Sequence, residues 1–123
     1  MKTKFDPRHQ KRREIAQFLF SFSFHKGQEI NPLAQQIIKN IQKIDEEISQ
    51  SAPEWPLERI NKIDLAILRL AVFELLVQKK EPSKVIIDEA VELAKEFGSE
   101  NSPSFVNGVL GNILNKINSN EKK

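Results

Sequence analysis

The chain has 123 residues, with 19 lysines and arginines against 17 aspartates and glutamates, for a formal charge of +2. It contains no cysteine, which excludes disulfides, thiol nucleophiles and thiolate metal sites together. No apolar run approaches the ~20 residues that a membrane span needs. The length suits one domain, and a chain that is 39% hydrophobic and 29% charged has globular composition. Gln17, Ser21 and Ser23 interrupt the apolar stretch after the basic start, which argues against a signal peptide, so a cytoplasmic protein is expected. The small net charge hides a polarity. Residues 1–13 hold six bases (Lys2, Lys4, Arg8, Lys11, Arg12, Arg13) and one acid, Asp6, a charge of +5, while the rest carries −3. A basic tip on a mildly acidic body hints at contact with nucleic acid.

Residues 1–10 hold Pro7 and no apolar periodicity and read as a flexible basic arm. From Lys11 to about Phe24, Ile15, Phe18, Leu19 and Phe22 recur at spacings of three and four, the pattern of an amphipathic helix ended by Gly27. Asn31-Pro32 is a helix start. Leu33, Ile37, Ile41, Ile44 and Ile48 then predict one helix to about Ser49, closed by Pro53 and Pro56. Residues 57–78 predict a short helix, a kink near Asn61, and a central helix capped by Asp64 with apolar residues on most of its circumference. Pro82 opens the next helix and Gly98 closes it. Ser102-Pro103 starts the last, with its stripe from Phe105 to Ile117 and a polar tail. With no strand alternation, the expected fold is all-α, a single compact helical domain of five or six helices.

Catalysis has little support. Neither His9 nor His25 is expected in a carboxylate constellation, and no metal-ligand spacing or phosphate-binding glycine loop occurs. Asp45-Glu46-Glu47 and Asp88-Glu89 read as solvated faces, because adjacent helical residues point apart. Gly108 and Gly111 read as points of close helix packing. No cofactor or metal is expected. The basic head does have chemical content. Arg8, Lys11, Arg12 and Arg13 stand where arm meets helix, and guanidinium groups grip phosphates and stack on bases, as in arginine-rich RNA-binding segments. Phe18, Phe20, Phe22 and Phe24 follow, and an exposed one would stack an unpaired base. Against this, the bases serve solubility and the phenylalanines the core.

The second half carries a resemblance. Trp55-Pro56-Leu57-Glu58-Arg59-Ile60, the run Asp64 to Leu75 with Ile67-Leu68-Arg69-Leu70-Ala71 inside it, Pro82 to Lys95, Phe97-Gly98, Glu100-Asn101-Ser102 and Phe105-Val106-Asn107-Gly108-Val109-Leu110 follow in the order and spacing of the NusB family of transcription antitermination factors. Arg12-Arg13-Glu14 and Leu19-Phe20 resemble the family's arginine-rich start. The resemblance implies a NusB-type fold with an N-terminal subdomain over residues 11–50 and a C-terminal one over 55–118, within a domain spanning 11–120. It implies no enzymatic activity. It also implies binding of single-stranded boxA-type RNA from ribosomal RNA operon transcripts, jointly with NusE, a small-subunit ribosomal protein, within the RNA polymerase antitermination complex. Ribosomal RNA methyltransferases that carry this fold as an N-terminal domain are longer than this chain.

Carried over by position, the RNA-binding residues are Arg8, Lys11, Arg12 and Arg13, Phe20 (or Phe22 in the alternative register), Asp64, Asn101 and Phe105. Helices over about 64–97 would face the protein partner. Arg69 and Asn107 read as structural polar groups. Two departures stand out. Only residues 25–30 join the first two predicted helices where the family has another helix, so the N-terminal subdomain is shortened. Phenylalanine replaces the family's tyrosine at the aromatic RNA position, keeping stacking without the hydroxyl. The rival readings are a module that holds NusE or a ribosomal partner without reading RNA, and a DNA-binding module.

Overall fold

A computed structural model describes residues 6–24 and 31–121. Among them the fold is all-helical: α1 (Pro7–Phe22), α2 (Pro32–Lys39), α3 (Ile41–Ser51), a 3-10 turn (Leu57–Arg59), α4 (Lys62–Phe73) running into a π-helical turn (Glu74–Gln78), α5 (Ser83–Phe97) and α6 (Ser102–Glu121). The expected end of the first helix at Gly27, together with His25, lies outside the described residues. No described helix is long and apolar enough to cross a membrane.

α4 is the axle of the fold. Leu65, Ala66, Ile67, Leu68, Leu70, Ala71, Val72 and Phe73 are all buried, and α1, α3, α5 and α6 each pack against it. One continuous core joins these to Ile15 and Leu19 of α1, Ile37 of α2, Ile44 and Ile48 of α3, Leu93 of α5, and Leu110 and Ile113 of α6. Each such side chain contributes roughly 1.5–3 kcal/mol by leaving water.

Four local departures from the sequence reading have physical causes. α1 starts at Pro7 rather than Lys11, because the Asp6 carboxylate accepts the Arg8 amide at 2.8 Å and Pro7 fills the first helical position. The flexible arm therefore does not extend through residue 10. The helix expected from Pro32 to Ser49 is two, because the Asn40 side chain donates to the Gln36 carbonyl at 2.8 Å and its backbone leaves helical geometry at φ −102° and ψ 11°. The isoleucine stripe continues across the break. Asn61, not Asp64, caps α4, accepting the Ile63 amide at 2.9 Å. Finally, the end of α4 widens: the Lys79 amide donates to the Glu74 carbonyl at 2.9 Å, five residues back, and Lys79 takes a left-handed φ of 53°.

The α6 expectations also shift. A side chain at Gly108 or Gly111 would meet open space, so close packing is not what these glycines provide. Asn107 is exposed rather than buried among polar partners. Arg69 is structural as expected, gripping Asp45 on α3 with Nε–Oδ1 and Nη2–Oδ2 both at 2.9 Å.

Candidate RNA-binding site

The structure divides the eight predicted RNA-binding residues among three places. The basic residues of α1 lie beside the C-terminal end of α4 (Arg8, Lys11 and Arg12) and the end of α5 (Arg13). Arg12 is only 7% exposed. Its Nε donates to Glu74 Oε2 at 3.0 Å and its Nη2 to Glu74 Oε1 at 2.7 Å, while Glu81 takes a further Nη2 contact and Glu89 lies 3.5 Å from Nη1. Burial opposes this charge, but the hydrogen bonds and attraction of Glu74 and Glu81 overcome it and hold the guanidinium more firmly protonated than usual. Arg12 is thus occupied inside the protein and is not a free phosphate ligand. Arg13 is half-committed: its Nε lies 3.0 Å from Glu96 Oε2, and its guanidinium sits 5.5 Å from the centre of the Phe97 ring.

His9 belongs to the same cluster, contrary to the sequence reading. It is buried, with Nδ1 2.9 Å from Glu89 Oε1 and Nε2 against Glu96. Burial pushes its pKa down, but the two carboxylates more than reverse this and raise it above the ordinary value. Glu89 is correspondingly buried rather than part of a solvated face, although Asp88 beside it is exposed. Of the predicted basic contacts, Arg8 and Lys11 remain exposed, Arg8 within 3.5 Å of Asp6 and Glu81. Lys2 and Lys4 lie outside the described residues.

Phe20 stands apart, at the far end of α1. It is exposed and meets the more exposed Phe24 edge to face, with centroids 5.1 Å apart. Phe22 is half-buried, so solvent access favours Phe20 for stacking.

The remaining three residues come together. Asp64 at the start of α4, Asn101 in the α5–α6 loop and Phe105 in the first turns of α6 line one cavity of about 230 Å³, with Trp55, Arg59 and Ser102. The loop is fixed locally: the Ser99 amide donates to Ser102 Oγ at 2.9 Å. A side chain at Gly98 would collide with Ser102, so this position needs glycine for space, its φ of −93° being ordinary. Asp64 is 6% exposed, and its Oδ1 is buried without a hydrogen-bond partner. Burial raises its pKa, and a hydrogen bond from Ser102 only partly offsets this. An unsatisfied buried carboxylate oxygen beside an amide and two aromatic rings is suited to accept from the edge of a base.

Trp55 and Arg59 were missed as site residues. Both stand inside the quoted family motif, but nothing in their spacing aims them at Asp64; the two prolines and the 3-10 turn do that.

Residues 26–115 match the model of the NusB family. The chain belongs to that family. It is 51% identical over 85 residues to the transcription antitermination protein NusB of Herpetosiphon aurantiacus, an alignment covering 67% of this chain and 58% of the relative. To the protein of the same name from Clostridium acetobutylicum it is 47% identical over 94 residues, covering 76% of this chain and 67% of the relative. For that of Clostridium novyi the match is 45% over 85 residues, 69% of this chain and 64% of the relative. The chain thus aligns with roughly three-fifths of the length of these curated relatives. The crystal structure of T. maritima NusB superposes with a TM-score of 0.77 at 35% identity, covering 92% of each chain. The NusB-type fold expected from the motifs is therefore the fold found.

Proposed function

We propose that this chain is a transcription antitermination factor that binds boxA-type RNA of ribosomal RNA operon transcripts together with NusE, within the RNA polymerase antitermination complex. The observation that carries this reading is the cavity at the start of α4. There Asp64, whose Oδ1 is buried without a partner, lines a cavity of about 230 Å³ together with an amide and two aromatic rings. Single-stranded RNA offers unstacked bases to such a site. Exposed Phe20 supplies a further stacking surface, and Arg8 and Lys11 supply charge.

Intramolecular pairing lowers the expected salt dependence. With Arg12 and Arg13 engaged by glutamates, Arg8 and Lys11 leave about two phosphate contacts. The log–log slope against salt is then about −1.4, from roughly −0.7 per contact, rather than the −3 of four contacts. Titration of labelled boxA-type RNA, with and without NusE and at several salt concentrations, tests the reading. Saturable binding that NusE strengthens supports it; no binding in either arm overturns it.

The second reading is a module that holds NusE without reading RNA. It is favoured by the same pairing, which buries the Arg12 guanidinium and engages that of Arg13. Capture of NusE in the absence of RNA, beside an RNA titration that stays flat, would select it.

A further inference from the structure

The turn between α3 and α4 presents a tryptophan with no core role. Trp55 is 49% exposed, yet its backbone is tightly held: its amide donates to the Ala52 carbonyl at 3.0 Å, and Pro53 and Pro56 restrict the chain on either side. Its ring meets Phe105 edge to face, with centroids 6.0 Å apart and planes at 73°. A large apolar ring that is braced by a neighbour and still half in water is built to be covered by something flat. Arg59 follows on the 3-10 turn, its amide donating to the Pro56 carbonyl at 2.8 Å. Its side chain is exposed and forms no ion pair among the described residues. Both side chains line the cavity that Asp64 also lines, and the Asp64 Oδ1 is buried there without a hydrogen-bond partner.

These three groups ask for different parts of one ligand. The indole surface asks for a planar ring and the free guanidinium for an anion. The carboxylate oxygen asks for a hydrogen-bond donor and repels phosphate. A nucleotide whose base carries an exocyclic amine meets all three demands. Cytosine, adenine and guanine carry that amine; uracil does not, and its one edge donor, N3–H, lies between two carbonyl oxygens that a carboxylate repels.

We propose that Trp55 and Arg59 are specificity-determining residues of this site: Trp55 carries one unstacked, amine-bearing base, Arg59 holds an adjacent phosphate, and the amine donates to Asp64 Oδ1. This rests on the RNA-binding reading above and adds two residues and a base preference to it.

Trp55 is the sole tryptophan of the chain, so its fluorescence reports on this site alone. The experiment follows wild-type protein with a boxA-type single strand in two ways, the anisotropy of labelled RNA for overall binding and tryptophan fluorescence for the site. It is repeated with strands in which each amine-bearing base in turn is replaced by an amine-free counterpart. Binding is expected to quench Trp55. One replacement is expected to weaken affinity markedly more than the others, and Trp55→Ala to weaken it roughly tenfold, as loss of one stacked base does. Trp55→Phe is expected to restore part of that loss. With Arg59 as a third phosphate contact beside Arg8 and Lys11 the salt slope is about −2.1, and Arg59→Ala is expected to return it to about −1.4. If anisotropy shows binding while Trp55 fluorescence, Trp55→Ala and the base replacements leave it unchanged, this inference fails and the RNA-binding reading stands. If anisotropy shows no binding to any strand, both fail.

Discussion

At the Glu74 end of α4, charged groups are buried in company: Arg12 among Glu74, Glu81 and Glu89, and His9 between Glu89 and Glu96. At the Asp64 end, about 15 Å away along the same helix, one carboxylate is buried with an oxygen that nothing satisfies. The first arrangement offsets its desolvation cost with hydrogen bonds and ties α1 to α5 and to the end of α4. The second costs stability, which the hydrogen bond from Ser102 offsets only in part. Charge density alone points to the first end for the proposed RNA contact, whereas the balance of partners favours the second.

Removing a charge from the paired end is the harshest test of this contrast. Arg12→Met leaves three glutamates facing each other without their cation and is expected to cost about 3–5 kcal/mol, read as a thermal melt lowered by more than ~10 °C. At temperatures where the variant is folded, its RNA affinity is expected to match wild type. A variant that melts normally but loses RNA would reverse the assignment of the two ends.

Titration separates the ends more gently. The His9 pKa is raised on folding, so its contribution is complete below the unfolded value near 6.5 and is lost as pH rises through the folded value. The stability gap between wild type and His9→Gln, measured by urea melts, is expected to narrow as pH rises through that window. Its size should be that of a hydrogen bond to a charged group, about 1.5–3 kcal/mol.

Asp64 has the opposite meaning with the same direction of shift. Its raised pKa means the folded protein resists the carboxylate, so this group favours folding at low pH and opposes it once ionised. Asp64→Asn keeps an acceptor for Ser102 and is expected to raise stability at neutral pH, read as a higher thermal midpoint, while discriminating less between amine-bearing and amine-free bases. A loss of stability in this variant would make Asp64 one more structural carboxylate.

What the sequence made legible follows from the range of the forces involved. The helices were readable because caps, prolines and apolar stripes are local; Asn31-Pro32 and the α4 run needed no distant partner. The Asp64, Asn101 and Phe105 group came from the family motifs, and the fold does bring these residues into one cavity. The fate of Arg12 and His9 was not readable, because their partners stand 62 to 87 residues further along the chain and arrive only when the end of α4 and α5 pack against α1. The start of α1 was legible too: Asp6-Pro7 is the same cap-plus-proline signal as Asn31-Pro32, but residues 7–10 add no apolar periodicity to mark a helix.

The widened turn at Glu74–Gln78 bears on how this chain tolerates change in length. Each helical residue advances the phase by about 100°, and a π turn accommodates one residue more than an α turn would. Removing one residue from this stretch, such as Val77, could be absorbed by winding the turn back to α geometry, with Glu74 still facing Arg12. Removing one from the regular helix before it would swing Glu74 a quarter-turn or more away from that cation. The two deletions are equal in size, and the molecule has a slack turn for only one of them.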